Sequence, residues 1–324
     1  MMAKAFICGV KGHYLSAVEQ DFLNREQPYG VILFARNCDN PLQVKTLCRE
    51  IMNCLKHPFA SILIDQEGGR VARLRPPHWR KYPPAKQIGT ATNVRLNARV
   101  IADELYALGI TTNCAPLADV PVAGCHDIIG DRAFGQTPEQ VAELARAQSD
   151  GLLDGGILPV LKHIPGHGRA HSDSHEELPV VDASLEELEK SDFKPFRALK
   201  DIPLGMTAHI LYTALDKKTV ATQSKTVIDY IRTNIGFDGL LMSDDLSMKA
   251  LKGTYAERTK ATFKAGCDLA LHCNGNMAEM LDVAASSPEL KGDALRRAER
   301  AKAMMPLRKT LMPAELELWQ KSVA

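Results

Sequence analysis

Eight short apolar runs punctuate this chain of 324 residues: Lys4 to Val10, Gly30 to Phe34, Ser61 to Ile64, Ile110 to Cys114, Ile157 to Leu161, Leu204 to Ala208, Gly239 to Met242 and Asp268 to Leu271. Most are continuous rather than alternating, which suits strands buried on both faces of a parallel sheet. Helix patterns lie between them. Leu42 to Lys56, Asn93 to Leu108 and Ser224 to Ile235 carry apolar residues at helical spacing. Thr137-Pro138 has the form of an N-cap followed by a first-turn proline, and Ser184-x-x-Glu187 and Thr254-x-x-Glu257 have the form of capping boxes. Gly236 and Gly266 stand where helices end. Eight such alternations over about 270 residues predict an α/β fold, a TIM (β/α)8 barrel. A doubly wound open sheet is the alternative, but the chain carries no glycine-rich dinucleotide fingerprint. The charged, helical tail from about Pro288 is expected to pack on the outside of the barrel, so residues 1–324 are read as one catalytic domain.

Composition narrows the function classes. A formal charge of +1 gives no global attraction to nucleic acid or anionic lipid. The apolar run after Lys4 is shorter than a secretory core, and no stretch approaches the ~18 apolar residues of a membrane span. The eight cysteines include no C-x-x-C pair. They are read as reduced, buried thiols of a cytoplasmic protein. A monomer without a cofactor is expected.

Polar residues gather where the runs end. Arg36-Asn37 follows the second, and Asp65-Gln66-Glu67-Gly68-Gly69-Arg70 the third. Asn113 and Asp119 flank the end of the fourth, and Lys162-His163 closes the fifth. His209 closes the sixth, Asp244-Asp245 the seventh and His272-Cys273-Asn274 the eighth. Active sites of such barrels are built at these strand ends, so the convergence predicts a polar pocket. The densest stretch is Lys162-His163-Ile164-Pro165-Gly166-His167-Gly168 with Asp173-Ser174-His175, where three histidines, a lysine and an aspartate surround glycines and a proline. A packed core has little use for so many costly polar groups, whereas a site that moves protons does. His163, His167, His171 and His175 recur at every fourth position, which on a helix would suggest metal. Pro165, Gly166 and Gly168 make a helix there a poor expectation. Asp244 is read either as a functional carboxylate or as a cap of the next helix, with Asp245 available for capping. Lys162 is read either as a site residue or as a solvated charge, and Asp65 with Arg70 or Arg73 as a surface ion pair.

Four motifs in order, Asp65 to Arg70, Gly130 to Gly135, Lys162 to His175 and Ser243-Asp244-Asp245-Leu246-Ser247-Met248, resemble those of family 3 glycoside hydrolases. Within that family they resemble the single-domain bacterial β-N-acetylglucosaminidases, from about residue 5 to residue 280. The resemblance implies a TIM barrel and assigns roles. Asp244 matches the nucleophile, His175 the acid/base and Asp173 its partner in an Asp-His dyad. Asp65, Arg73, Arg132, Lys162 and His163 match residues that hold the sugar. Met248 belongs to the signature without an assigned role, and nothing is assigned to His171.

The implied reaction is retaining removal of non-reducing GlcNAc from GlcNAc-1,6-anhydro-MurNAc and its peptides in peptidoglycan recycling. Retaining glycosidases usually use two carboxylates. Here imidazole replaces the second, and its unperturbed pKa near 6.5 suits proton transfer at neutrality. Asp173 would fix its tautomer, as the acid of a Ser-His-Asp triad does. The glycine-flanked segment is expected to let His175 swing in once substrate is bound. A β-N-acetylglucosaminide phosphorylase, a metal-dependent hydrolase using His163, His209, His272 and Asp244, and a sugar-binding sensor are the alternatives.

Overall fold

The apolar runs become strands because their valines, isoleucines and leucines pack on both sides of a closed sheet. In the computed structural model, which describes residues 2–124, 126–170, 172, 174, 177–305 and 307–323, the barrel strands are β1 (Lys4–Gly9), β2 (Pro28–Leu33), β3 (Ser61–Ile64), β4 (Thr112–Asn113), β5 (Leu158–Ile164), β6 (Leu204–Thr207), β7 (Leu240–Asp245) and β8 (Leu269–His272). Each pairs in parallel with the next, and β8 closes on β1 through Phe6↔Ala270 and Cys8↔His272. The expected α/β (β/α)8 barrel is therefore the observed fold.

Period-two alternation divides each strand between two cores. Ala5, Ile7, Leu158, Val160, Leu204, Met206, Leu240, Met242, Leu269 and Leu271 form one buried cluster inside the barrel. Phe6, Cys8, Val31, Leu33, Ile62, Ile64 and Ala270 pack outward with the helices Ala17–Glu26, Pro41–Cys54 and Ala91–Leu108. The sequence-read helix ends hold. Thr137, Ser184 and Thr254 accept hydrogen bonds from backbone N–H groups of their first turns, the last two as full capping boxes. Gly236 and Gly266 end their helices with φ of 79° and 111°.

Two strands run further than the apolar pattern indicates. β5 continues through Lys162 and His163, and β7 through Asp244 and Asp245. The charged residues stay in the sheet because their backbones remain paired: Lys162 N donates to Pro116 O at 3.0 Å, and Lys162 O accepts from Ala118 N at 2.8 Å. Ser243 likewise joins β7 to β8, its Oγ accepting from Leu271 N at 2.9 Å.

The tail does more than pack on the outside. Leu290, Ala298 and Ala301 join the interior cluster, and Ala5 N donates to Pro288 O, so this segment covers the N-terminal end of the barrel. Small alanines allow the helix Gly292–Ala303 to lie close against the strand starts. Arg296, Arg297 and Arg300 of that helix all pair with Asp238. The helix Pro313–Val323 docks on Ala91–Leu108 through buried Trp319, whose Nε1 donates to Asn97 Oδ1 at 2.8 Å and whose ring lies 5.5 Å from that of Tyr82. No helix among the described residues is long and apolar enough to cross a membrane.

Candidate active site

The C-terminal ends of the strands surround a cavity of about 260 Å³. Asp65, Arg73, Arg132, Lys162, His163 and Asp244 all line it, so the structure brings together every described residue that the resemblance singles out. Lys162 and His163 come from β5 and Asp244 from β7, whereas Asp65 and Arg73 flank the turn after β3 and Arg132 ends the short 3-10 turn Gly130–Arg132. Asp173, His175 and His171 lie outside the described residues.

A chain of alternating charge forms one wall. Arg73 donates to Asp65 Oδ2 at 3.0 Å, and Lys162 Nζ reaches Asp65 Oδ1 at 3.0 Å and Glu67 Oε1 at 2.7 Å. Arg132 closes it with paired hydrogen bonds to Glu67 at 2.9 and 2.8 Å. Lys162 is 2% exposed, so it is a buried, doubly paired cation and not a solvated charge at a loop entrance. Burial by itself would raise the carboxyls, but the facing cations outweigh it. Lys162 and Arg73 hold Asp65 well below the usual carboxylate range, and Arg132 and Lys162 bring Glu67 down to about 2. The carboxylates in turn overcome the burial of Lys162 and keep its ammonium charged.

A second buried carboxylate orients the histidines. Asp119, fully buried, pairs with His163 Nδ1 at 2.7 Å and accepts from His167 N at 2.6 Å. Such a partner fixes the Nδ1–H tautomer and leaves Nε2 as the ring's second polar atom. The His167 ring lies 5.5 Å from that of His163, and burial together with that neighbour pushes it down to about 4, so it stays neutral near pH 7. Gly168 lets this segment cross the preceding loop, since a Cβ there would lie 1.9 Å from Val120 O.

Glu67, Asp119 and His167 stand in the polar stretches read at the strand ends, but the sequence gives none of them a role of its own. Glu67 was visible in principle: two positions from Asp65 in extended chain, it shares that residue's face. Asp119 follows the fourth strand but carries no local mark of its partner, which lies 44 residues away in sequence.

Other strand-end residues turn out to be structural. Arg36 and Asn37 bind the carbonyl of Val10, and Asn113 grips the backbone of Gln66 in both directions. Arg70 pairs with Asp127 and Asp131 on the surface rather than with Asp65. Asp245 caps no helix, because the next one starts at Tyr255 with Thr254 as its cap. Asp245 instead accepts from Ser247 N, Ser247 Oγ and Cys273 N, tying the turn after β7 to β8. The metal set of His163, His209, His272 and Asp244 does not assemble. His209 spends both ring nitrogens on Thr222 and the carbonyl of Asp245, and the His272 ring packs edge-on against Tyr255, with Nε2 3.3 Å from Glu279. Among the described residues no three His, Cys, Asp or Glu side chains converge as metal ligands.

The chain is similar to known proteins in sequence and in fold. Residues 8–300 match the glycosyl hydrolase family 3 N-terminal domain. A β-hexosaminidase of Chromobacterium violaceum is 36% identical over 304 residues, covering 90% of this chain and 84% of the relative. NagZ from Neisseria gonorrhoeae, solved with N-trifluoroacetyl-D-glucosamine, superposes with a TM-score of 0.86 at 31% identity, over 99% of this chain and 96% of that one. A family 3 β-N-acetylglucosaminidase from Paenibacillus sp. gives a TM-score of 0.87 at 28% identity, with 98% of this chain covering 66% of that longer one. The chain belongs to glycosyl hydrolase family 3, as a glycoside hydrolase whose relatives are β-hexosaminidases.

Proposed function

We propose that this glycoside hydrolase is a retaining exo-β-N-acetylglucosaminidase that removes non-reducing GlcNAc from GlcNAc-1,6-anhydro-MurNAc and its peptide-bearing forms. It acts as a cytoplasmic monomer in peptidoglycan recycling. The observation that carries this reading is the Asp244 carboxylate at the end of β7, on the wall of a small cavity whose remaining polar lining suits a sugar. At about 260 Å³ the cavity lies at the small end of ligand pockets (about 300–1,000 Å³), which favours one terminal residue over an internal stretch of polymer. The Neisseria neighbour supports an N-acylated glucosamine as that residue. The seven described cysteines, all unpaired thiols, support a reducing compartment.

In this mechanism Asp65, kept ionised, accepts hydrogen bonds from sugar hydroxyls, while Arg73, Lys162 and Arg132 donate to them. His163, oriented by Asp119, adds a further polar contact. Asp244 attacks C1 as the glycosidic bond breaks, forming a glycosyl ester. His175 delivers its proton to the departing oxygen, and Asp173 supports the imidazolium. His175 then takes a proton from water, which attacks C1 and releases Asp244, so the product keeps the β configuration.

Proton NMR of the reaction with GlcNAc-1,6-anhydro-MurNAc tests this. β-GlcNAc is expected first, with the α anomer appearing only by mutarotation. α-GlcNAc as the first product refutes retention, and no release refutes the substrate. A phosphorylase carries the same glycosyl ester to phosphate, so GlcNAc-1-phosphate as the main product in phosphate buffer would replace hydrolysis as the reading.

A further inference from the structure

Phe34, the residue after β2, brings a phenyl ring into the lining of the sugar cavity beside Arg73. Two guanidiniums lie over that ring. The Cζ of Arg36 is 4.8 Å from the ring centroid and that of Arg73 is 4.9 Å from it, both within the ~6 Å of a cation–π contact. The backbone that carries the ring is itself fixed. Phe34 N donates to Asn37 Oδ1 at 2.9 Å, and Asn37 Nδ2 donates to the carbonyls of Val10 and Gly12.

The two cations differ in what their N–H groups do. Arg36 gives Nε to Val10 O at 3.0 Å and Nη2 to Cys273 O, which anchors it just past the ends of β1 and β8. The Arg73 side chain donates to Asp65 Oδ2 through Nη2 at 3.0 Å, and its Nε is buried with no hydrogen-bond partner among the described residues. A hydrogen bond at one nitrogen lets the guanidinium turn about that contact, so a second support has to set its plane. A carboxylate or carbonyl in that place would take up further N–H groups. An aromatic face does not, because it attracts the charge of the whole group. The Nη donors that Asp65 leaves unused therefore stay available to a ligand.

We propose that Phe34 is a positioning residue for sugar recognition, its ring holding the Arg73 guanidinium in the pose that meets the sugar hydroxyls. The proposal rests on the reading above of Arg73 as a residue that holds the sugar. Phe34 acts through Arg73, and its contribution is to affinity for the sugar whatever leaving group the substrate carries.

The test removes the attraction and keeps the shape. Trifluorophenylalanine in place of Phe34 has a ring of nearly the same size with little negative charge on its face. The measured quantities are Ki for GlcNAc as a competitive inhibitor, and KM and kcat for an aryl β-N-acetylglucosaminide. The fluorinated protein is expected to bind GlcNAc about 2–5-fold more weakly, with KM raised by the same factor and kcat unchanged. Phe34→Leu is expected to lose at least as much. In an Arg73→Met protein, which itself binds GlcNAc more weakly, fluorination is expected to have no further effect. Unchanged GlcNAc binding by the fluorinated protein, with a loss in Arg73→Met, overturns the role of the ring and leaves the sugar reading intact. A fluorination loss that persists in the Arg73→Met protein shows the ring acting on the sugar itself and overturns positioning through Arg73. Unchanged GlcNAc binding by Arg73→Met breaks the reading of Arg73 as a sugar ligand, and the proposal with it.

Discussion

Replacing Lys162 by methionine tests the charged wall most directly. The side chain is 3% exposed and joins two carboxylates at 3.0 and 2.7 Å. Removing one partner from a buried ion pair typically costs about 3–5 kcal/mol, because the other charge is left desolvated. Here Asp65 keeps Arg73 and Glu67 keeps both hydrogen bonds from Arg132, which places the loss near the lower end, about 3 kcal/mol. For a chain of this length the matching fall in Tm is about 4 °C. The loss carries a pH signature. Glu67 is held at about 2, so the stability its ionised form adds is present above the ordinary carboxyl range and disappears only as pH falls toward 2. Without Lys162 the carboxyls take up protons at higher pH, and the variant has less of this stability to lose. Urea unfolding followed by tryptophan fluorescence should show a gap of about 3 kcal/mol at pH 7 that narrows between about pH 5 and 3. A gap below about 1 kcal/mol at pH 7, or one that does not vary with pH, would refute the view that Lys162 is held by its two carboxylates.

Three further outcomes are expected. Asp244→Ala should lower kcat by about a thousandfold or more with an unchanged melting temperature, and azide should restore turnover as the α-glycosyl azide; a fully active variant ends its assignment as nucleophile. His175→Ala should slow the disaccharide far more than an aryl glycoside, whose leaving group needs little protonation, so equal losses on both would count against a role as general acid. Trp319→Ala should destabilise by about 3 kcal/mol through the lost contact with Tyr82 and the unpaired Asn97, measured by thermal unfolding; an unchanged Tm would show that the last helix adds nothing to the fold.

The barrel was legible because its strands are buried on both faces, so its runs appear largely uninterrupted in sequence, and Ser61 to Ile64 matches its strand to the residue at both ends. The sequence misled where charge enters a strand. Lys162 and Asp244 look like strand exits, since an isolated charge in a sheet core is expensive, but β5 and β7 continue past them. Two carboxylates from the turn after β3, Asp65 and Glu67, offset that cost at Lys162, and no local pattern connects them to it. Asp245 misled in the opposite sense: a carboxylate after a strand is a good helix cap, yet nine residues separate it from the next helix and it serves the turn and β8. The closure of the barrel floor was equally hidden, because Ala298 and Ala301 matter through their smallness.

The placement of these residues divides the work of the site between two kinds of scaffold. Lys162, His163 and Asp244 project from strands whose backbones are paired on the barrel, and Asp119 and Glu67 fix two of them through buried hydrogen bonds or ion pairs. A sugar meeting this wall finds its partners already oriented, so little ordering remains to oppose binding. The proposed proton donor instead belongs to the segment that follows β5, beyond Gly166 and Gly168. Substitutions in the strand-borne set should therefore weaken every substrate that presents the same sugar, whatever its leaving group. Substitutions of the proton donor should separate substrates by how much protonation the leaving oxygen needs. Two patterns of kinetic loss, sorted by substrate, thus report separately on sugar recognition and on proton transfer in one barrel mouth.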